Sequence, residues 1–299
     1  MGWVWMVLLA LAPALALAQD PEPRAYSNAP VGLNFLITGY FDSKGGLSTD
    51  PSLPVTDAHL QIHTAAIAYA RSLDLWGKSG KVDVILPYSR LSGTAMAAGQ
   101  QVERNINGFG DPRLRLSINL YGAPALSLRE YASYQQDLVI GASVQIAAPG
   151  SQYDPARAVN LASNRWLLKP DFGLSKTLGA VTLDFTVGAS LFSNNDNYFG
   201  GKTLTQEPVY FTQGSISYNF NGGAWAALGA SYYEGGRTTV NGVRNDDKLG
   251  NSRTVVILAL PVDRQHSIKV SASKGLHTRI GTDFKTFGVA WQYRWGAGF

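Results

Sequence analysis

Four histidines and no cysteine bound the side-chain chemistry open to this 299-residue chain. Without cysteine there is no disulfide framework, no thiol nucleophile and no thiolate metal site. His59 and His63 lie four positions apart. On an extended strand that spacing is about 13 Å, too far for the two rings to ligate one metal as neighbours. His266 falls in an expected turn and His277 at a loop edge, where solvated histidine explains both. No HExxH, Gly-x-Ser-x-Gly, Walker loop or GxGxxG in a strand–helix setting occurs. Asp246-Asp247 and Asn194-Asn195-Asp196 offer oxygen atoms that calcium could use at loop tips, but such runs are first of all turn formers. No metal, no cofactor and no catalytic residue is therefore expected. A lipid-acting enzyme working through His and Ser ranks third among the functions weighed below.

The more informative chemistry lies in charged residues that alternate with aliphatic ones. In Arg113–Leu120 every even position (Leu114, Leu116, Ile118, Leu120) is aliphatic, and every odd one (Arg113, Arg115, Ser117, Asn119) is polar. This is the period-2 pattern of a strand with one apolar face. If that face meets lipid, an arginine on it near the midplane would cost about 2–4 kcal/mol. Arg113 and Arg115 should then point into a polar interior. The same argument gives an inward set of Asn119, Gln145, Lys169, Asp171, Thr182 and Asp184. Both signs of charge are present. The set either solvates a salt-bridged, water-filled interior or forms a constriction that selects what passes.

The elements that must position these residues are strands. Charged residues make up 15% of the chain, against roughly 25% in ordinary globular proteins. No internal apolar run approaches the roughly 20 residues of a spanning helix. Twelve strand-like runs appear: 31–41, 59–75, 81–91, 113–120, 138–148, 165–176, 181–191, 209–220, 224–234, 253–261, 267–276 and 286–299. Their connections alternate long and short, the pattern of long outer loops and short periplasmic turns in bacterial barrels. The connection 121–136 is long where a short one is due, and SLREYASY is expected to form a helical turn there. The fold class expected is all-β, an antiparallel transmembrane β-barrel of 12 strands, placed in the bacterial outer membrane.

The last run, TFGVAWQYRWGAGF, alternates Phe287, Val289, Trp291, Tyr293 and Trp295 with Gly288, Ala290, Gln292 and Arg294. Aromatics in that number suit a lipid-facing closing strand. They also resemble the C-terminal assembly signal of outer-membrane barrels, carried by Thr286, Gly288, Trp291, Tyr293 and the terminal Phe299. At the other end, residues 1–18 are apolar, uncharged and close on Ala16-Leu17-Ala18, so a secretory signal peptide cut before Gln19 is expected. Residues 19–30 are expected to be a Pro-rich periplasmic lead-in, and 31–299 the barrel domain. A net charge of +4 without a Lys/Arg block gives no case for nucleic acid.

Several stretches are familiar together: RAYSNAPVGLNF (24–35), KVDVILPY (81–88), NGFGDPRLRLSINLYGAPAL (107–126), NRWLLKP (164–170), YYEGGRTTVNGV (232–243) and VAWQYRWGAG (289–298). They resemble a family of bacterial transporter-like outer-membrane proteins named for the meta-pathway of phenol degradation. The resemblance implies a barrel that passes small hydrophobic or aromatic compounds. It supplies no residue roles. The function expected is passive passage of such solutes, the alternative being a structural or surface-interaction barrel without transport. The partners expected are outer-membrane lipids, the barrel assembly machinery and the solute itself.

Overall fold

The computed structural model describes residues 21–48, 55–97, 99–157 and 159–298. The expected signal peptide and the terminal Phe299 lie outside them. Leu33–Ser48 (β1), Val55–Leu75 (β2) and Lys78–Ala97 (β3) come first, followed by Gln100–Phe109 (β4) and Arg113–Tyr121 (β5). A four-residue helix, Leu128–Tyr131 (α1), precedes Leu138–Ala147 (β6), Leu167–Leu178 (β7) and Val181–Phe192 (β8). Short Asn195–Tyr198 (β9) and Lys202–Gln206 (β10) lead to Val209–Asn219 (β11) and Trp225–Gly235 (β12). Thr238–Val240 (β13) and Val243–Arg244 (β14) are again short, and Leu249–Pro261 (β15), His266–His277 (β16) and Gly281–Gly296 (β17) complete the chain.

The large sheet closes on itself. β1 pairs with β2 on one side and with β17 on the other, and β2 also pairs with β3. β4 and β5 act as one stave: β4 pairs with Tyr88–Ala97 of β3, and β5 with Gly80–Ile85 of the same strand. They are interrupted at Gly110-Asp111-Pro112, where proline cannot donate to the ladder. Counting that pair once, the ring has twelve antiparallel staves. The closing seam runs from Leu33 opposite Gly296 to Ser48 opposite Gly281.

The outer wall is apolar because lipid must replace water there. Phe287 is 55% exposed and Leu116 43%, while Ser89 and Ser175 on inward positions are fully buried. On β17 the outward residues run from Phe287 to Trp295. At a strand rise of ~3.3 Å and a tilt of ~40° this covers about 20–25 Å, the height of an outer-membrane apolar band. Its periplasmic end is an aromatic girdle: Trp291 stacks with Tyr293, Tyr293 with Trp295, and His266 on the first two. Among the described residues no helix is long and apolar enough to cross a membrane; the strands do so. Arg294 faces inward at the periplasmic rim, and its Nε donates to the Arg264 carbonyl at 2.7 Å.

Several long connections expected as loops are strand instead. β1 continues to Ser48, β2 starts by Val55, and 92–110, which lies between two of the expected runs, is mostly the β3–β4 hairpin. Within 194–207 and 235–250 lie β9, β10, β13 and β14, which form a separate four-stranded sheet in the order β14-β13-β10-β9. Beyond the bilayer both strand faces can be polar, so these extensions lack the alternation that marks a strand in sequence. The helical turn at 121–136 is present as α1. Its start is fixed by a capping box, in which Ser127 Oγ accepts from the Glu130 N–H while the Glu130 carboxylate accepts from Ser127 N–H.

Candidate functional site

The inward faces of β3, β5, β6 and β7 line up in register and build a polar wall. Asp83, Arg115, Gln145 and Lys169 stand directly opposite one another in one lateral row. Lys81, Ser117, Ser143 and Asp171 form the next row towards the periplasm. Below these, Asn119 lies opposite Gly141 and Gly141 opposite Gly173. Arg113, Arg115, Gln145, Lys169 and Asp171 line one cavity. Asn119 is buried below it, and Asp184 lies on β8, inward and opposite Ser175 and Ser215.

The N-terminal segment occupies the middle of this lumen. The described part of the expected periplasmic lead-in, Pro21–Pro30, runs inside the barrel. Glu22 pairs with Arg115, whose Nε also bonds Asp83 Oδ2 at 3.0 Å. The Arg24 N–H donates to Asp184 Oδ2 at 3.1 Å, its guanidinium reaches Asn219 Oδ1 at 3.0 Å, and it lies 5.1 Å from the Trp225 ring centroid. The Tyr26 hydroxyl donates to Asp171, which also accepts from Ser143 Oγ at 2.6 Å. The Tyr26 ring lies across Gly141 and Gly173, where added Cβ atoms would come within 2.1 and 2.0 Å of it. Asn28 donates to the Pro124 carbonyl at 3.1 Å, tying the segment to the connection that carries α1. A cavity of about 40 Å³ lies between segment and wall, room for about three waters.

Towards the outer end the interior turns apolar. Leu60 and Ile62 of β2, Leu91 of β3 and Phe284 of β17 pack with Val159 and Leu161 from the connection between β6 and β7. That connection is held down by Asp111, which accepts from Ser163 N and Oγ at 2.8 and 2.6 Å. Arg165 helps by bonding Gln206 at 2.5 Å and lying 4.3 Å over Phe192. Burial pushes the Arg165 guanidinium down to about 10, because it loses more hydration than Tyr198 and Asp111 return. Tyr198 is buried in the mouth and Asn195 bonds the Tyr153 hydroxyl at 3.0 Å, so these loop tyrosines cap the barrel. Phe199 lies under Lys202, 5.8 Å from its ammonium.

Further aromatics face inward lower down. The Phe41 ring covers Gly288, where a Cβ would lie 2.4 Å from it, so β1 directs its apolar row inward rather than to lipid. Lys169 Nζ sits 4.4 Å over the Phe211 ring.

Sequence reasoning missed Glu22, Tyr26, Lys81 and Asp83. Lys81 and Asp83 had a signal, since they alternate with Val82 and Val84 as Arg113 and Arg115 do with leucines. Glu22 and Tyr26 had none, because their segment has no periodicity. Of the assembly-signal residues, Gly288 faces inward under Phe41, while Trp291 and Tyr293 belong to the outer girdle.

The fold matches an outer membrane channel from Pseudomonas putida F1 with a TM-score of 0.80 at 20% identity, covering 92% of this chain and all of that one. The transport unit of the Escherichia coli autotransporter AIDA-I aligns with a TM-score of 0.53 at 9% identity, over 93% of this chain and 94% of that one. The beta domain of the Bordetella autotransporter BrkA aligns with a TM-score of 0.51 at 9% identity, over 88% of this chain and all of that one. No curated protein matches the sequence. The model of one sequence family, described as "Putative MetA-pathway of phenol degradation", matches residues 41–293. The closed barrel with its apolar band, the inward polar rows and that match over most of the chain place this protein in that family of outer-membrane barrels.

Proposed function

We propose that this barrel passes small hydrophobic or aromatic molecules across the outer membrane passively, with no nucleotide or cofactor. The observation that carries the reading is the apolar interior at the outer end, where Leu60, Ile62, Leu91 and Phe284 meet Val159 and Leu161. A water-filled pore for polar solutes gains nothing from such a layer, whereas an apolar solute is desolvated by it. The family's description, phenol degradation, agrees with that solute class. Twelve staves fall between side-chain-filled 8-stranded barrels and the open channels of 16–18 strands. Here the N-terminal segment fills the difference. The cavity beside the segment, about 40 Å³, is too small for a phenol-sized ring. Passage therefore requires the segment or the β6–β7 connection to move.

That same tightness favours the second reading, a structural or surface-interaction barrel that transports nothing. Proteoliposomes loaded with protein separate the two. Uptake of phenol well above protein-free vesicles, with no matching uptake of a sugar of similar mass, supports the channel. Equal uptake with and without protein sinks it. For the enzyme reading, His63 Nδ1 contacts Tyr40 Oη at 2.9 Å and Asp42 Oδ1 at 3.2 Å on the outer wall, and among the described residues no serine bonds it. A lipid-hydrolysis assay tests that reading directly. We further infer that the barrel assembly machinery reads the last strand through Gly288, Trp291, Tyr293 and Phe299. Substituting Trp291 and Tyr293 by Ala should lower the amount of folded barrel in outer membranes.

A further inference from the structure

The outer wall carries a charge arrangement that the channel reading does not use. Lys44 on β1 stands directly opposite Lys285 on β17, and Lys285 directly opposite Lys274 on β16. All three side chains are exposed. They point outward, because Ser43, Thr286 and Ser273, one position away on each strand, are the buried inward row. Directly opposed side chains in an antiparallel pair have Cβ atoms about 5 Å apart, and like charges so placed are destabilising. Among the described residues none of the three lysines has an ion pair or hydrogen bond that would offset this repulsion.

Two carboxylates share this face, Asp42 and Asp283, and neither forms an ion pair with the lysines. Asp42 accepts from Gln61 Nε2 at 3.4 Å and faces His63 at 3.2 Å. Asp283 turns against Gly275, where an added Cβ would lie 2.5 Å from its Oδ1. The row is flanked by uncharged polar side chains, Gln61 opposite Lys44 and Thr254 opposite Lys274.

The height of the row says what meets it. Phe287 is the topmost outward apolar residue of β17, and Lys285 is the next outward residue above it. The lysines therefore stand at the outer edge of the hydrocarbon band, at the level of outer-leaflet headgroups. Two strand spacings separate Lys44 from Lys274, about 10 Å. One phosphate cannot neutralise ammonium groups spread that far, but two on one headgroup can. Lysine serves phosphate as a compact point charge, with no demand for bidentate geometry.

We propose that Lys44, Lys274 and Lys285 form a binding site for the phosphate groups of a bisphosphorylated outer-leaflet glycolipid. The site rests on the barrel's place in the outer membrane and is independent of what the lumen passes.

The test uses the full barrel purified in neutral detergent, titrated with bisphosphorylated lipid A and read by native mass spectrometry. Wild-type protein should retain the lipid, and K44Q/K274Q/K285Q should bind it at least tenfold more weakly. K44R/K274R/K285R should bind it as wild type does. Lipid A stripped of both phosphates should bind as weakly as the Gln variant. A second readout is thermal unfolding. In lipid-free detergent the Gln variant should unfold at a higher temperature than wild type, since opposed charges are gone, and the order should reverse once lipid A is added. Equal lipid A binding by wild type and the Gln variant would overturn the proposal, as would equal binding of the phosphate-free lipid. Competition by millimolar inorganic phosphate alone would reassign the site to a free anion and overturn the lipid.

Discussion

Replacing Tyr26 by Ala should unseat the N-terminal segment. The ring is 5% exposed and lies across Gly141 and Gly173, positions whose lack of a side chain makes the slot. Truncating a buried aromatic side chain costs about 3–5 kcal/mol. The hydroxyl's bond to Asp171 is part of that loss rather than an addition to it, and Asp171 keeps Ser143 as a partner. At about 1.4 kcal/mol per decade, the balance between seated and unseated segment shifts by about 10²–10⁴. The Glu22–Arg115 and Arg24–Asp184 contacts remain, so occupancy falls without the segment being lost altogether. Planar-bilayer recording reads the shift as higher open probability and larger conductance. Tyr26→Phe, which keeps the ring and drops the hydrogen bond, should fall between wild type and Tyr26→Ala. Gly173→Ala attacks the same contact from the wall, because its Cβ would stand 2.0 Å from the ring. Conductance identical to wild type in both Tyr26→Ala and Gly173→Ala would refute the idea that this ring holds the lumen shut.

Replacing Arg113 and Arg115 together by Ala removes two cations from the cavity wall and strands Glu22 and Asp83. Reversal potentials in a salt gradient should move towards cation preference; unchanged recordings would remove both arginines from the pore. Phe284→Ala deletes a fully buried ring from the outer apolar layer, a loss of about 3–5 kcal/mol. Its urea midpoint in detergent should fall, and a midpoint equal to wild type would mean the layer collapses around the gap. Asp263 accepts the N–H groups of Gln265 and His266 at 2.7 and 2.8 Å, and these bonds hold its carboxyl below the usual range. A native pKa lowered in this way stabilises the β15–β16 turn fully above about pH 4 and loses that effect as pH falls through the native value. Asp263→Asn keeps an acceptor without the titration and should flatten the acid limb of the unfolding curve; an unaltered limb would place the acid sensitivity elsewhere.

The barrel wall was legible because lipid punishes error. Arg113 and Arg115 could be turned inward from two arginines alternating with leucines, and the row containing Gln145 and Lys169 follows from register alone. Phe287, Val289 and Trp291 face lipid as their spacing requires. Where lipid stops, the signal stops too. The β3–β4 hairpin stands outside the band, and its inward face mixes Leu91, Ala95, Val102 and Ile106 with Ser89, Gly93, Arg104 and Gly108, so the apolar alternation is too broken to mark a strand. The N-terminal segment was least legible of all. Pro21, Glu22, Pro23 and Arg24 read as a solvated tether, because nothing local shows that Glu22 has Arg115 as partner 93 positions later. A trace of it did exist in the wall. Gly141 and Gly173 sit opposite each other on inward positions, which in a packed strand marks a close approach.

The Tyr26 slot also constrains the order of events during biogenesis. Tyr26 is made before every stave, yet its hydroxyl partner, Asp171, follows 145 positions later and its two glycines stand on β6 and β7. The slot cannot exist until those two strands have paired. The ring is sealed only when β17, the last strand to be made, zips onto β1. A segment outside at that moment would have to thread in through the periplasmic mouth. That mouth is bridged where Val31 N–H donates to the Leu126 carbonyl and Tyr131 Oη to the Asn28 carbonyl. Seating of the N-terminus therefore belongs before closure of the seam, and the nascent sheet must curl around its own leader.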